Sequence, residues 1–344
     1  MPSWQSYLIK PAIRLLNMRL RNKEQTFTEQ RAANDAISSR FKFPQDITYK
    51  PTVIDGLPAA WVTPSAISTE QVILYLHGGA YVLGSLTMYH PTLVTYARAT
   101  RTRLLMIEYR LAPEHPFPAA VVDARTAYLW LLAQGIRSEQ IVVMGDSAGG
   151  GLTVALLLTL RDEQIPLPAA AVCLSPWFDL ACTGESIRTR ARADVILTPQ
   201  TLKKAADAYL GTTDPRTPLA SPLYSDLHGL PPMLLQVGTE DILLDDARRF
   251  AVRAREAGVS VELQVWSNMI HVWQVFGRRL PEARQAREHI QRFIRSHAHA
   301  QSTLLPTNCR GRFIVPTADL SAPTHPSFHS HAGNHPIRPH ESLY

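Results

Sequence analysis

Short apolar runs alternate with longer amphipathic ones along most of the chain. Val72–Leu76, residues 103–109, Ile141–Met144, residues 169–174 and Pro232–Val237 are near-continuous apolar stretches of strand length, the pattern of strands covered on both faces. Ser260–Trp266 alternates polar and apolar, as a half-covered strand does. Between them, residues 121–133, Leu152–Leu160, about 243–257 and 281–296 carry apolar residues at helical spacing, such as Ala247, Phe250, Ala251 and Ala254. Ahead of the series, Ile47–Val53 and Ala59–Val62 flank Asp55-Gly56, which predicts an antiparallel hairpin. Strands alternating with helices from about residue 71 to 296 predict an α/β protein with one doubly wound, mostly parallel central sheet flanked by helices.

Two stretches break the alternation. Residues 1–44 form a basic, helix-prone head with Arg14, Arg19, Arg21, Lys23, Arg31, Arg40 and Lys42, in which Ile13, Leu16 and Leu20 recur at helical spacing and should pack on something. Residues 178–225 hold an Arg-rich segment, a short helix near 199–210 and a Pro-rich return. Both suit a cap over the sheet. A helix lying on a membrane surface is the other reading of the head, and its scattered basic residues weigh against it. From about residue 298 onward Pro, Ser, Thr and His dominate, the composition of a disordered tail, and the irregular spacing of its histidines does not suit a metal site. The domain division read here is therefore a head over 1–44, a catalytic domain over 45–297 that contains the 178–225 insertion, and a tail over 298–344.

At 344 residues and 45% apolar content the chain can bury one large core or two modest ones. The net charge of +6 forms no tight patch interleaved with aromatics, which argues against nucleic-acid binding. No apolar run is long enough to span a bilayer, and no secretion signal is evident. Three cysteines, Cys173, Cys182 and Cys309, lack metal-ligand spacing and suit a reducing cytoplasm.

The chemistry concentrates at turns that follow strands. Gly145-Asp146-Ser147-Ala148-Gly149 joins a strand to a helix, and its small residues permit a strained bend that lifts the serine above the sheet. A serine nucleophile needs a base, a group to orient that base, and donors for the developing oxyanion. His77-Gly78-Gly79-Ala80-Tyr81 follows a strand directly and would form the oxyanion hole, with Gly79, Ala80 and Ala148 donating and Gly78 shaping the approach; His77 would brace this loop. Asp241 lies in a loop after a strand, whereas Asp245 and Asp246 fall in the first turn of a helix, where carboxylates simply offset the dipole. His271 occupies the loop after the next strand, while His90, His115 and His228 precede Asp241 and break the order Ser, Asp, His. Tyr81, Trp177, Val272 and Trp273 could line the substrate pockets.

The H-G-G-A-Y loop, residues Tyr109–Ala119 (Y-R-L-A-P-E-H-P-F-P-A), the G-D-S-A-G-G elbow, S-P-W-F-D-L at 175–180, L-L-D-D at 243–246 and H-V-W at 271–273 together resemble the hormone-sensitive-lipase-like branch of the α/β-hydrolases. Within it the text is closest to bacterial acetyl-hydrolases and monoterpene ε-lactone hydrolases. The resemblance covers roughly residues 40–296. It implies a Ser147–Asp241–His271 triad, a helical cap from the head and the insertion, short- to medium-chain acyl esters as substrates, no metal or organic cofactor, and a homodimer through the last edge strand. A lactone hydrolase or deacetylase would use the same residues. A non-catalytic binding protein of this fold would show a broken triad, and here all three positions are filled. Most members carry a third glycine where Ala80 stands; its methyl group is expected to exclude bulky alcohol groups such as tertiary ones.

Overall fold

The computed structural model describes residues 2–20, 25–277 and 280–298. The predicted tail, Cys309 included, lies outside the described residues except for Ala298, as do residues 21–24 and the side chains of Leu16 and Leu20.

In chain order the elements are α1 (Trp4–Leu20), α2 (Phe27–Ser38), β1 (Ile47–Ile54), β2 (Leu57–Pro64), β3 (Val72–Leu76), α3 (Leu86–Thr100), β4 (Arg103–Ile107), α4 (Ala119–Ala133), β5 (Ile141–Asp146), α5 (Ala148–Asp162), β6 (Ala170–Leu174), α6 (Ser186–Thr189), α7 (Pro199–Leu210), β7 (Met233–Gly238), α8 (Leu244–Glu256), β8 (Val261–Trp266) and α9 (Pro281–Ala298). Eight strands form one sheet in the order β1-β2-β4-β3-β5-β6-β7-β8. The β1–β2 hairpin and its junction with β4 are antiparallel; every later pairing is parallel.

Strand periodicity sorts the core into two layers. Val72, Leu74 and Leu76 face a cluster that includes Ala124 and Tyr128 of α4 with Leu152 and Leu156 of α5. Ile73 and Tyr75, one residue out of phase, face Leu93 and Tyr96 of α3 with Ile290 and Phe293 of α9. Helix α3 is not anticipated by the sequence pattern. Its threonines and the internal Pro91 make it a poor helix by propensity, but Ser85 caps it through Met88 N (2.9 Å) and the sheet supplies the packing.

The chain reverses its winding at β3, which lies between β4 and β5. A crevice therefore opens beyond the carboxyl ends of β3 and β5, the usual ligand position in such sheets. The two ends sit very close. A Cβ at Gly149, at the start of α5, would fall inside the radius of the Leu76 carbonyl oxygen, which is backbone and cannot move aside. Gly149→Ala is therefore expected to cost at least the roughly 1–3 kcal/mol of ordinary overpacking, read as a lower urea midpoint at unchanged m-value. An unchanged midpoint would show that the two strand ends separate freely.

Candidate active site

Ser147 sits at the bend that joins β5 to α5. Its φ of 53° and ψ of −121° are rare for a residue with a side chain. The bend is over-determined by its bonds: Ser147 N donates to Leu174 O (2.8 Å), and its carbonyl accepts from Gly150 N and Trp177 N (3.0 Å each). Ala148 opens helix α5, so its N–H has no acceptor within the helix.

His271 faces the serine across a cavity of about 560 Å³ whose walls include Gly79, Ala80, Ser147, His271 and Val272. His271 Nδ1 lies 3.0 Å from Asp241 Oδ2. An ionised carboxylate only accepts, so Nδ1 carries the proton and Nε2 keeps its lone pair. No hydrogen bond joins Ser147 to the imidazole among the described residues, the loose geometry common before a substrate closes a site. Glu240 N donates to Met269 O (2.9 Å), which ties the loop of Asp241 to the loop of His271.

Asp245 and Asp246 are occupied elsewhere. Asp246 is fully buried and accepts from Phe178 N and Asp179 N (2.9 Å each), and Asp245 accepts from Ser186 N (2.8 Å). Both hold the start of the 178–225 insertion rather than the imidazole.

Bonds within the protein fix the shape of the oxyanion loop. Gly78 N donates to Tyr89 Oη (2.8 Å) and Asp146 Oδ1 (3.1 Å), so it has no N–H to offer a ligand. It is small because a Cβ there would strike Asp146 and Tyr89. Ala80 and Tyr81 both sit in the left-handed region, at φ 54° and 62°. That conformation costs a non-glycine residue roughly 1–2 kcal/mol. Among the aromatic residues assigned to the pocket, Tyr81, Trp177 and Trp273 are buried core. Tyr81 stacks on Tyr209 at 3.9 Å, Trp177 gives its Nε1–H to Asp179 O, and Trp273 packs with Met269 and Ile270. Only Val272 of that group lines the cavity.

His77 braces the loop. Its Nδ1 lies 2.7 Å from Gly78 O, which can only accept, and its ring stacks on Tyr109 at 4.0 Å. Burial pushes its pKa down to about 4, so it is neutral at physiological pH.

Two carboxylates near the imidazole have no sequence signal of their own. Asp146 accepts from Tyr75 Oη (2.6 Å) and Tyr89 Oη (2.9 Å) as well as Gly78 N, joining the elbow to the oxyanion loop. Asp194, from the insertion, accepts from Ile196 N, Leu197 N and Ile242 N at 2.8–3.0 Å. Ile242 follows Asp241, and Ile196 and Leu197 line the cavity. Asp194 thereby clamps the acid loop to the cavity wall. Burial and the charge of Asp241 hold its own pKa above the usual carboxylate value.

Burial disfavours the His271 imidazolium, but Asp241, with Asp194 and Asp146 behind it, favours it more. The pKa is held above its ordinary 6.5.

Comparison with known proteins identifies the fold family. A family model described as alpha/beta hydrolase fold matches residues 73–275. An acetyl-hydrolase of Streptomyces hygroscopicus is 48% identical over 238 residues, covering 69% of this chain and 79% of that one. A crystal structure of an esterase from the bacterial hormone-sensitive lipase family superimposes with a TM-score of 0.81 at 44% identity, covering 87% of this chain and 99% of that one. A structure of EstE5 soaked with p-nitrophenyl butyrate gives 0.81 at 38%, covering 87% and 100%.

Removing the Asp194 charge should lower the His271 pKa. In Asp194→Asn, an NMR titration of the His271 ring should show its midpoint at lower pH than in the parent protein. An unmoved midpoint would mean that Asp194 acts through the backbone alone.

Proposed function

The chain belongs to the alpha/beta hydrolase family, in its hormone-sensitive-lipase-like branch, and on that premise we propose that Ser147, His271 and Asp241 perform its reaction. The protein is a carboxylic ester hydrolase. The observation that carries the residue assignment is the Asp241–His271 contact opening onto the same cavity as the strained Ser147.

Each step follows from the geometry. Nε2 of His271 takes the hydroxyl proton as Ser147 Oγ bonds to the acyl carbon. The carbonyl π electrons move to the oxygen, which the N–H groups of Gly79, Ala80 and Ala148 receive; one such donor is typically worth about 100- to 1,000-fold in rate. Asp241 keeps the imidazole in the required tautomer and stabilises the cation. The carbonyl re-forms, the alcohol leaves with the proton from His271, and a water repeats the sequence on the acyl-enzyme to release the acid.

Residues 1–44 and 178–225 act as the cap of a catalytic domain spanning 45–297. The cavity lining supports this, since Phe27 and Gln30 of α2 and Leu197, Leu202 and Ala205 of the insertion form part of the wall. Short- to medium-chain acyl esters fit the cavity's volume, and the names of the relatives point the same way. No helix among the described residues is long and apolar enough to cross a membrane. The free thiols of Cys173 and Cys182 support a reducing compartment such as the cytoplasm. The outer edge of β8 pairs with no strand among the described residues, which supports a homodimer formed there.

The protein should hydrolyse p-nitrophenyl esters from acetate upward, with rates falling before palmitate. Ser147→Ala should lose about 10⁶-fold in kcat, as triad serines do. Full activity in that variant would falsify the assignment. Ala80→Gly removes the methyl group at the alcohol side and should raise kcat/KM on tert-butyl acetate relative to ethyl acetate; an unchanged ratio would show that position 80 does not select the alcohol. Because His271 must be neutral to act, kcat/KM should fall as pH drops through its raised pKa.

A further inference from the structure

Helix α1 has two apolar faces, and the fold uses one. Ile9 and Ile13 pack inward against a cluster containing Val195, Met269, Ile270 and Trp273, beside the loop of His271. Ser6 and Lys10 on the same side bond to Asn268. The opposite face carries Trp4, Tyr7, Leu8 and Leu15, which are 70%, 57%, 58% and 54% exposed. Leu8 and Leu15 lie four and eleven residues after Trp4, so the three share one line along the helix with Tyr7 at its border. Single exposed apolar residues are ordinary; a continuous line that includes Trp and Tyr marks an interaction surface.

Among the described side chains of α1 the charged groups are Lys10 and Arg14, both cationic. Lys10 is paired with Glu240. Arg14 Nη2 reaches 2.8 Å to Arg192 O, which brings the segment Arg188-Thr-Arg190-Ala-Arg192 beside α1. None of these three insertion arginines pairs with a carboxylate among the described residues. Arg14 and this arginine segment thus lie together beside the helix. From Arg192 the chain runs directly to Ile196 and Leu197 at the cavity.

We propose that the outward face of α1, together with Arg188, Arg190 and Arg192, docks on an anionic lipid surface. Trp4, Tyr7, Leu8 and Leu15 would enter the boundary between headgroups and acyl chains, and the guanidinium groups would meet lipid phosphates. Charge selects this occupant over a second copy of the chain, since two such faces would set like charges against each other. Docking in this way brings the cavity mouth close to the lipid, a short path for apolar esters.

The test is sedimentation of the full chain with vesicles of phosphatidylcholine alone or mixed with phosphatidylglycerol. Ser147→Ala is run in parallel to separate binding from catalysis. The parent protein and Ser147→Ala should pellet with the mixed vesicles, bind phosphatidylcholine alone far less, and be released by salt. Trp4→Ser combined with Leu8→Ser should weaken binding about tenfold or more while leaving the rate on p-nitrophenyl acetate and the circular dichroism intact. Arg188→Glu combined with Arg192→Glu should remove most of the salt-sensitive part. The proposal is overturned if the parent protein stays in the supernatant with mixed vesicles at low salt. It is also overturned if the Trp4/Leu8 variant pellets as well as the parent, or if that variant changes the oligomeric state by light scattering without changing vesicle binding. The last result would give the face to a second copy.

Discussion

A carboxylate buried in an apolar core needs donors, and Asp146 collects three of them from three different elements. Tyr75 on β3, Gly78 in the oxyanion loop and Tyr89 on α3 all give it a hydrogen. Burial alone would push the proton back onto Asp146, and the bonds from Tyr75 and Tyr89 oppose that. The same contacts pull the oxyanion loop against the nucleophile elbow, where the Leu76 carbonyl meets Gly149 with no space for a side chain. Ser147 and the proposed oxyanion donors are therefore tied together by one buried network. Loosening any member would misplace both, which is how small displacements become large losses of rate.

The imidazole sits at the meeting point of a different set of constraints. Asp241 orients it through Nδ1, and Glu240 and Met269 bond the two loops together. Asp194 adds a second buried charge and attaches the insertion to the residue after Asp241. Charge and connectivity thus act in one direction: the segment that walls the cavity also holds the base's electrostatic environment. Asp245 and Asp246, close to Asp241 in the chain, hold the start of the insertion through Ser186, Phe178 and Asp179. The acids divide the work because Asp241 lies in the loop after β7, while Asp245 and Asp246 sit in the first turn of α8.

The head joins these two sets. The inner face of α1 supports the His271 loop, and its Arg14 holds the arginine segment that leads to the cavity. Its outer face is left to the surroundings. Of the two apolar lines on α1, the fold covers the one that carries Ile9 and Ile13.

Most of the architecture was legible from residue order. The apolar runs marked the strands because strands covered on both faces need no polar residues, and Ser147, Asp241 and His271 stood out because each follows such a run at a turn. The close agreement of β3, β5 and β7 with the apolar pattern rests on that physical fact, while β8 shows the alternation of a half-covered strand. Helix α3 was not legible, since its threonines and Pro91 oppose the helix and only packing on the sheet overcomes them. Gly78's occupied N–H, the burial of Tyr81, Trp177 and Trp273, and the clamp by Asp194 were also invisible. Gly78 depends on Tyr89 and Asp146, Tyr81 on Tyr209 and Asp194 on Ile242, all distant in sequence, and a linear pattern reports local periodicity, not which distant groups meet. By itself the sequence determined the strand and helix order and the chemistry available at each turn. Only the tertiary structure decided which of those groups face the cavity, which are spent on one another, and that Arg14 meets the arginine segment of the insertion, because those outcomes are set by long-range packing and burial.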